Sequence, residues 1–358
     1  MSIEHSVVMS STRQTPLPVR PWPHRLAVAV ACATFPLIFV GGLVTSYDAG
    51  MAVPDWPTTY GYNMFAYPWE TWFFGPWDLF IEHGHRLLGA VVGMLTIALV
   101  IAAWRCDSRA WFRRLSVVAL VAVCVQGLLG GLRVNLDEVQ LAKIHGCFGP
   151  AFFALAAALA GMSSRRWREA RPVAYDGAAK FRRLAVITAA LAYLQLVIGA
   201  HLRHLTPNMS GAAFRAVLFF HLIIAAAVVV HAVLLSVRAR SASRATGSRC
   251  RAATVLLLLV VAQVVLGGTT WVVKYGWPGW FVDTSVSGWY TIQEGSMLQA
   301  TTVTAHVAIG SLIVATAVLA TLWSFRYVAV KSAVSRLAAA DVVAGLLFPA
   351  AALSGGVR

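Results

Sequence analysis

The stretch "IEHGHRLLGAVVGMLTIALVIAAW", residues 81–104, places a carboxylate, two imidazoles and a guanidinium at one end of a long apolar segment. Beyond Arg86 it contains no charged residue. An α-helix needs roughly 20 apolar residues to cross a bilayer. The stretch therefore predicts a transmembrane helix, placed at 83–104, that carries a polar cluster near one membrane surface.

The whole chain has the composition of a membrane protein. Of its 358 residues, 59% are hydrophobic and only 12% are charged, and its mean hydropathy is +0.71. A soluble protein of this length needs more charge to cover its surface. Eight apolar runs are predicted to span the membrane: 27–45, 83–104, 115–134, 141–162, 182–202, 215–236, 252–272 and 299–323. The apolar stretch 342–353 is interpreted as an interfacial or loose tail, with a ninth span as the alternative.

Basic residues predict the orientation of the chain. They concentrate in the N-terminal segment, in every second connection and in the C-terminal tail, while the loop 46–80 has no Lys or Arg. Because Lys and Arg are retained on the cytoplasmic side, both termini are predicted to be cytoplasmic, in a bacterial cytoplasmic membrane. This rule and the attraction of anionic lipids explain the net charge of +15, so no nucleic-acid partner is inferred. The five cysteines form no CxxC motif and predict neither a disulfide nor a zinc site.

The predicted helices contain an internal repeat. Odd-numbered helices end alike, in "GGLVTS" (41–46), "GGLRVN" (130–135), "GAHLRH" (199–204) and "GGTTWV" (267–272). In three of them a glutamine lies four residues before the first glycine, at Gln126, Gln195 and Gln263. Small residues and glutamine are typical of close helix packing. Each even-numbered helix carries one histidine near the same end: His85, His145, His221 and His306.

The repeat predicts an all-α polytopic membrane protein of eight transmembrane helices, arranged as two parallel-repeat four-helix bundles. The predicted segments are an N-terminal segment (1–26), a first half (27–162), a basic cytoplasmic linker (163–181), a second half (182–323) and a cytoplasmic tail (324–358). A single intramembrane histidine is often only a hydrogen-bonded core residue, but four at similar depth favour function. Two imidazoles that face each other across a bundle suit the axial positions of haem iron. Two haem sites are therefore predicted, one in each half and both toward the outer surface.

The halves differ beside these histidines. Glu82 lies three residues before His85, on the same helix face, whereas the matching positions of the other helices are apolar. Glu82 is interpreted as a carboxylate beside a reacting ligand, with pairing to Arg86 at the headgroup level as the alternative. The first half is therefore predicted to hold the substrate and the second an electron-transfer haem. Arg86, Arg133 and Arg203 either bind haem propionates or extend to the interface. Four further histidines, His83, His201, His204 and His231, are interpreted as structural or surface residues.

Together these residues resemble the haem A synthase family. The matching elements are "GGLVTSYDAGMAVPDWPTTYG" after the first helix, "EHGHR" opening the second, "GGLRV" closing the third and the histidine on each even helix. The resemblance implies an enzyme that oxidises the C8 methyl group of haem O to the formyl group of haem A. It also implies that His221 and His306 bind haem b, that His85 and His145 address the substrate iron, and that Glu82 is catalytic.

The resemblance further implies partners, and the sequence differs from the family at one point. A haem O synthase (a farnesyltransferase) and cytochrome oxidase assembly are the expected partners, while the electron acceptor and the oligomeric state stay open. Many bacterial relatives have a cysteine pair in the first outer loop, and this chain has no cysteine between residues 46 and 81. A thiol relay through that loop is therefore not expected, and no redox role is assigned to Cys147.

Two other functions fit part of the pattern. A non-enzymatic di-haem b-type cytochrome explains the four histidines but gives no reason for Glu82. A transporter built on a parallel repeat would carry polar groups near the middle of the bilayer, whereas the polar groups of this chain lie at the outer edge.

Overall fold

Eight long α-helices include all eight predicted spans. The computed structural model describes residues 20–204, 209–279, 282 and 290–330. Its helices are α1 (Trp22–Ser46), α2 (Trp69–Phe73), α3 (Trp77–Cys106), α4 (Ala110–Asn135), α5 (Val139–Ser163), α6 (Arg165–Glu169), α7 (Ala178–Arg203), α8 (Gly211–Thr246), α9 (Arg251–Tyr275) and α10 (Met297–Tyr327). All except α2 and α6 are long and apolar enough to cross a membrane. The predicted class, an all-α polytopic membrane protein, is confirmed.

The long helices pack in two closed rings of four. In the first, α1 contacts α3, α3 contacts α4, α4 contacts α5, and α5 returns to α1. In the second, α7, α8, α9 and α10 contact one another in the same cyclic order. The largest buried apolar clusters follow this division, one within α1, α3, α4 and α5 and the other mainly within α7 to α10. The predicted relation of the halves by a repeat axis stays a prediction.

The interface between the rings is formed by α1 and α5 against α7 and α10. Near the ends of α1 and α7, Arg203 donates to the carbonyl oxygen of Gly42 at 2.5 Å and to Ser46 Oγ at 2.9 Å. Ser46 Oγ also lies 3.0 Å from Thr304 Oγ1 on α10. A Cβ atom added to Gly42 would lie 2.7 Å from Thr304 Cγ2, so glycine allows this close approach. These bonds join the two rings at the histidine-bearing end of the helices.

The loop between α1 and α3 is folded against the helices. It contains 3-10 turns at Ala49–Met51 and Met64–Ala66, the short helix α2, and an antiparallel pair of two-residue strands, β1 (Thr58–Thr59) and β2 (Tyr62–Asn63). Trp56 packs on Gly131, where a Cβ atom would lie 2.1 Å from Trp56 Cδ2. Asn135 donates to the carbonyl oxygen of Trp56 at 3.1 Å. The loop is thereby fixed over the end of α4.

Some regular structure lies outside the predicted spans. Helix α8 continues to Thr246, ten residues past the predicted end of its apolar run, because "VRARSASRAT" is polar but contains no helix breaker. The linker contains α6 and strand β3 (Val173–Ala174), which pairs in parallel with β4 (Val328–Ala329) after α10. The stretch 342–353 lies outside the described residues.

Candidate functional site

The first two repeat histidines face each other. The ring centroids of His85 on α3 and His145 on α5 are 6.2 Å apart, and the ring planes are inclined by 79°. His145 Nδ1 donates to the carbonyl oxygen of Gln126 at 3.1 Å, which leaves its Nε2 free as a ligand atom. Nδ1 of His85 is buried and has no hydrogen-bond partner among the described residues. The pair can therefore bind an atom placed between the two rings.

Each repeat histidine packs on the first glycine of its repeat motif. A Cβ atom built on the glycine would lie between 2.7 and 3.2 Å from Cε1 of the histidine. The two contacts of the first ring are below 3.0 Å, so a Cβ atom there would displace the histidine, and the two of the second ring are tight. The contacts join neighbouring helices in pairs: Gly41 with His85, Gly130 with His145, Gly199 with His221 and Gly267 with His306. The glycine and histidine repeats seen in the sequence are therefore two sides of one contact, made four times.

The repeated glutamines lie at the same contacts. Gln126 Nε2 donates to the carbonyl oxygen of His145 at 2.9 Å, and Gln263 Nε2 donates to that of His306 at the same distance. Gln195 differs, because its Nε2 lies 3.1 Å from both ring nitrogens of His221. The glutamines thus connect adjacent helices by hydrogen bonds, as their positions in the sequence indicated.

The second pair of histidines occupies the matching place in the other ring. His221 on α8 packs on Gly199 of α7, and His306 on α10 packs on Gly267 of α9. Nδ1 of His306 is buried without a hydrogen-bond partner among the described residues. Each pair thus includes one histidine, His85 or His306, with a buried ring nitrogen that has no hydrogen-bond partner among the described residues. No carboxylate or thiolate completes a separate metal cluster within the described part of the chain.

Glu82 is buried in an ion pair. Its side chain lies on α3, and the residue is 4% exposed. Oε1 accepts from Arg86 Nη2 at 2.7 Å, and Oε2 accepts from the backbone N–H of Val53 at 2.8 Å. The pairing with Arg86, considered as the alternative from sequence, is therefore present. Both carboxylate oxygens contact donors that belong to α3 or to the first outer loop.

Arg86 holds the same loop through its main chain. Its Nη1 donates to the carbonyl oxygens of Asp55 at 2.6 Å and Thr58 at 3.0 Å, and its Nη2 donates to that of Val53 at 2.7 Å. With the bond to Glu82, both terminal nitrogens are engaged. Arg86 thus fixes the segment 53–58, the "VPDWPT" part of the motif, over the N-terminal end of α3.

The other two candidate arginines retain a free donor. Arg133 Nη1 donates to the carbonyl oxygen of Gly50 at 3.0 Å, while its buried Nε has no partner among the described residues. Arg203 uses Nη2 for α1, while its buried Nη1 lacks a partner within the same part of the chain. Because guanidinium donors pair well with carboxylates, these two arginines suit propionate groups better than Arg86 does.

The remaining histidines fit structural roles. His83 is 2% exposed and lies 3.1 Å from Thr59 Oγ1, with Tyr67 and Trp72 rings against its own. His204 and His231 donate to carbonyl oxygens one turn earlier in their own helices. His201 is exposed. The sequence had offered no sign that His83 supports the loop, since its partner Thr59 belongs to an irregular segment.

Comparison with known proteins relates the chain to a family. Residues 76–214, which include Glu82, His85 and His145, match the family model COX15-CtaA, described as a cytochrome oxidase assembly protein. A protein named "Heme A synthase" from Shouchella clausii is 27% identical over 199 residues, or 53% of this chain and 62% of the relative. The chain resembles the haem A synthases. The resemblance expected from its motifs is confirmed.

Two further relatives extend this similarity. The "Heme A synthase" of Symbiobacterium thermophilum is 29% identical over 197 residues, 51% of this chain and 60% of that protein. A "Protoheme IX farnesyltransferase" from Haloarcula marismortui is 28% identical over 141 residues, 37% of this chain but only 27% of that protein. The chain therefore spans less than two thirds of the length of each of these haem A synthase and farnesyltransferase relatives.

Proposed function

We propose that this protein is a haem A synthase, an oxidoreductase that converts the C8 methyl group of haem O to the formyl group of haem A. The observation that carries the proposal is the buried, facing pair His85 and His145, beside which only the first half has a carboxylate at the matching position. The relatives named as haem A synthases support a role in haem A biosynthesis.

The residues fit a haem at each pair. A metal bound by two imidazoles at about 2 Å per bond would hold their ring centroids about 6 Å apart, which agrees with the 6.2 Å between His85 and His145. The glycine beside each histidine leaves room for the ring, and buried nitrogen atoms without partners suit ligation. Metal–histidine pairs of this kind are typical of helical bundles.

The two pairs have different roles in this proposal. His85 and His145 would bind the iron of the substrate, haem O, in the first ring. His221 and His306 would bind haem b in the second ring, where the neighbouring positions are apolar. Bound haem b supplies a one-electron redox centre. The protein would position the macrocycles, while the difficult redox chemistry belongs to the porphyrin.

Glu82 would act on the reacting carbon. Loss of two electrons and one proton from the methyl group would leave a cationic carbon, which water attacks to give a hydroxymethyl group with release of a second proton. A nearby carboxylate would accept that proton or stabilise the positive charge. A second two-electron oxidation, with loss of two protons, would convert the hydroxymethyl group to the formyl group. The electrons leave to an acceptor outside the chain. The ion pair with Arg86 and the bond from Val53 would hold the carboxylate in one position close to the first histidine pair.

Two arginines are proposed to bind propionate groups. Arg133 and Arg203 each combine a buried, unpartnered donor with a position near the outer ends of α4 and α7. Arg86 is left out of this role, because both of its terminal nitrogens are engaged by Glu82 and loop carbonyl oxygens.

The membrane placement follows the charge distribution. We place both termini in the cytoplasm of a bacterium and both haem pairs toward the outer side. A haem O synthase is the proposed supplier of the substrate, supported by the likeness between this chain and part of a farnesyltransferase. The product would serve cytochrome oxidase assembly, as the description of the family model suggests.

Haem extraction tests the proposal. The protein would be expressed in cells that also contain a haem O-producing enzyme, purified, and its haems separated by chromatography. Haem A or haem O beside haem B is the expected result. Haem B alone would favour the di-haem cytochrome instead, and a preparation without haem would favour a transporter.

A further inference from the structure

A cavity lined by three arginines lies at the opposite end of the helices from the histidines. It has a volume of about 170 Å³ and is bounded by the end of α5, by α6, by the start of α9 and by the end of α10. Its charged lining is Arg166, Arg249 and Arg251, and its aromatic lining is Trp167, Trp323 and Tyr327. Gly161 and Ser164 also line it. None of these residues belongs to the proposed haem sites.

The positive charge in this cavity is not neutralised by the lining. No Asp or Glu lines it, and the ion pairs of the described residues do not include its three arginines. The arginines are nevertheless held together, because Arg166 Nη2 donates to the carbonyl oxygen of Arg249 at 3.2 Å. Tyr327 Oη donates to the carbonyl oxygen of Arg166 at 3.0 Å, and the Arg166 guanidinium lies 5.7 Å from the Tyr327 ring.

Trp323 is a second, independent sign of a ligand. It lines the cavity, and only 8% of the residue is exposed. Its ring stacks on that of Tyr327 with an interplanar angle of 16°. Its indole Nε1 is nevertheless buried without a hydrogen-bond partner among the described residues. A buried donor without an acceptor is costly, and this indole would gain one if a molecule bound in the cavity reached it with an acceptor atom.

We propose that this cavity binds the phosphate headgroup of an anionic phospholipid. Guanidinium groups form paired hydrogen bonds with phosphate oxygens, and basic pockets between transmembrane helices bind anionic headgroups. Leu319, Leu322 and Ala252 complete the lining and would contact the first part of the acyl chains. Tryptophan and tyrosine are typical of the headgroup level. A free phosphate ion would use the arginines but not this apolar wall.

The site would join parts of the chain that are distant in sequence. Arg166 follows α5, Arg249 and Arg251 flank the start of α9, and Trp323 belongs to α10. A bound headgroup would therefore bridge the first ring, through the segment after α5, and the second ring. The proposal is independent of the haem chemistry, since all of its residues lie at the other membrane surface.

Lipid binding to matched variants tests the site. The purified full chain would be titrated with phosphatidylglycerol in a neutral detergent, and retained lipid counted by native mass spectrometry. In the test variant, Arg166, Arg249 and Arg251 are changed to Gln. The control changes Arg238, Arg240 and Arg244 to Gln, which removes the same charge from equally exposed positions near the end of α8, outside the cavity. Circular dichroism and gel filtration check that each variant is folded.

We expect the test variant to bind phosphatidylglycerol about 100-fold more weakly, because it lacks three basic contacts at the membrane surface. The control variant should bind nearly as the wild type does. Equal weakening in both variants would overturn the proposal, because general surface charge would then explain binding. Competition by inorganic phosphate as strong as that by the lipid would also overturn it, in favour of a free anion site.

A conservative single change covers the case in which the triple variant does not fold. Trp323→Phe keeps an aromatic ring beside Tyr327 and removes the indole donor together with one of the two fused rings. It should weaken phosphatidylglycerol binding several-fold without changing the gel-filtration profile. Unchanged affinity in a folded Trp323→Phe protein would contradict the proposed site.

Discussion

His85 and His145 face each other across the first helix ring, with ring centroids 6.2 Å apart and planes nearly perpendicular. Each ring lies on a glycine of the neighbouring helix, and the same contact recurs at the other two repeat histidines. One two-helix unit, with glycine on one helix and histidine on the next, therefore occurs four times. The proposed function requires two of these units for each haem.

Loss of His221 or His306 should remove haem b. The two residues are the only repeat histidines of the second ring, and the imidazoles would be the axial ligands of its haem. The double variant His221→Ala, His306→Ala should insert in the membrane but lack the low-spin haem spectrum. His231→Ala is a suitable control, since its Nδ1 is bonded to the carbonyl oxygen of Ala227 in its own helix. An unchanged low-spin spectrum in the double variant would refute the assignment.

Gly41→Ala should disturb the substrate pair selectively. The added Cβ atom would lie 2.7 Å from His85 Cε1, so the ring must move. Misplacement of a reacting group by about 1 Å can cost roughly 100-fold in rate, and haem A formation should fall by about 10-fold or more. Gly89→Ala on α3 is the matched control, because no atom lies within 4 Å of its added Cβ. Equal haem A formation in the two variants would argue against the contact.

Glu82→Gln should reduce haem A formation by roughly 100-fold or more, the range expected for a positioned acid–base or electrostatic group. Haem b should change little. The substitution also places an amide N–H₂ group against one of two donors, Arg86 Nη2 or the Val53 N–H, so it weakens the loop contact as well.

Arg86→Gln separates these two effects of Glu82→Gln. It breaks the same ion pair and releases the segment 53–58 but keeps the carboxylate. A much smaller loss of haem A in Arg86→Gln than in Glu82→Gln supports catalysis by the carboxylate. Equal losses of haem A in the two variants would indicate that Glu82 only supports the loop. The measured quantity is haem A per haem b in membranes from matched cultures.

Acid should weaken an ionic cluster at the end of the helices opposite the histidines. Asp107, just after α3, is 3% exposed, and its Oδ2 accepts from Arg109 Nη2 at 2.7 Å and Arg168 Nη2 at 2.5 Å. Burial opposes ionisation, but the hydrogen bonds and charges of these arginines outweigh it and lower the pKa of Asp107 below its ordinary value of 3.8. A carboxyl group with a lowered pKa stabilises the fold above its unfolded pKa and loses this effect as the pH falls through the folded pKa.

The apparent Tm, measured at one scan rate, should therefore fall as the pH drops below about 4. Asp107→Asn should cost on the order of 2 kcal/mol or more at neutral pH, since two guanidinium groups lose their partner. Its Tm should also depend less on acid than that of the wild type. Asp137→Asn, at an exposed position with φ 47°, is the control. An identical acid dependence in Asp107→Asn and the wild type would contradict this role.

The helices and their histidines could be predicted from sequence because the signals are local. Apolar length fixes a span without knowledge of its neighbours, and the repeat of one histidine per even helix is visible without a structure. The pairing of Glu82 with Arg86 was considered for the same reason, as the residues are four apart on one helix.

The contacts between distant elements could not be predicted in the same way. The sequence shows the glycines and the histidines but not which glycine lies under which ring, since that depends on helix packing. Arg86 binds the segment 53–58 through hydrogen bonds to backbone carbonyl oxygens. Such bonds leave no residue-specific signal in the sequence. The pairing of β3 with β4 is equally hidden, because each strand has only two residues.

The most direct test of the account is the haem A to haem b ratio when both substrate histidines are replaced. The double variant His85→Ala, His145→Ala would be expressed beside the wild type, each with a haem O-producing enzyme. The haems extracted from the membranes would be separated by chromatography. The account predicts haem A and haem b with the wild type, and haem b without haem A with the double variant. Haem A formation by the double variant, or loss of all haem from a variant that still inserts, would contradict the assignment of separate haems to the two rings.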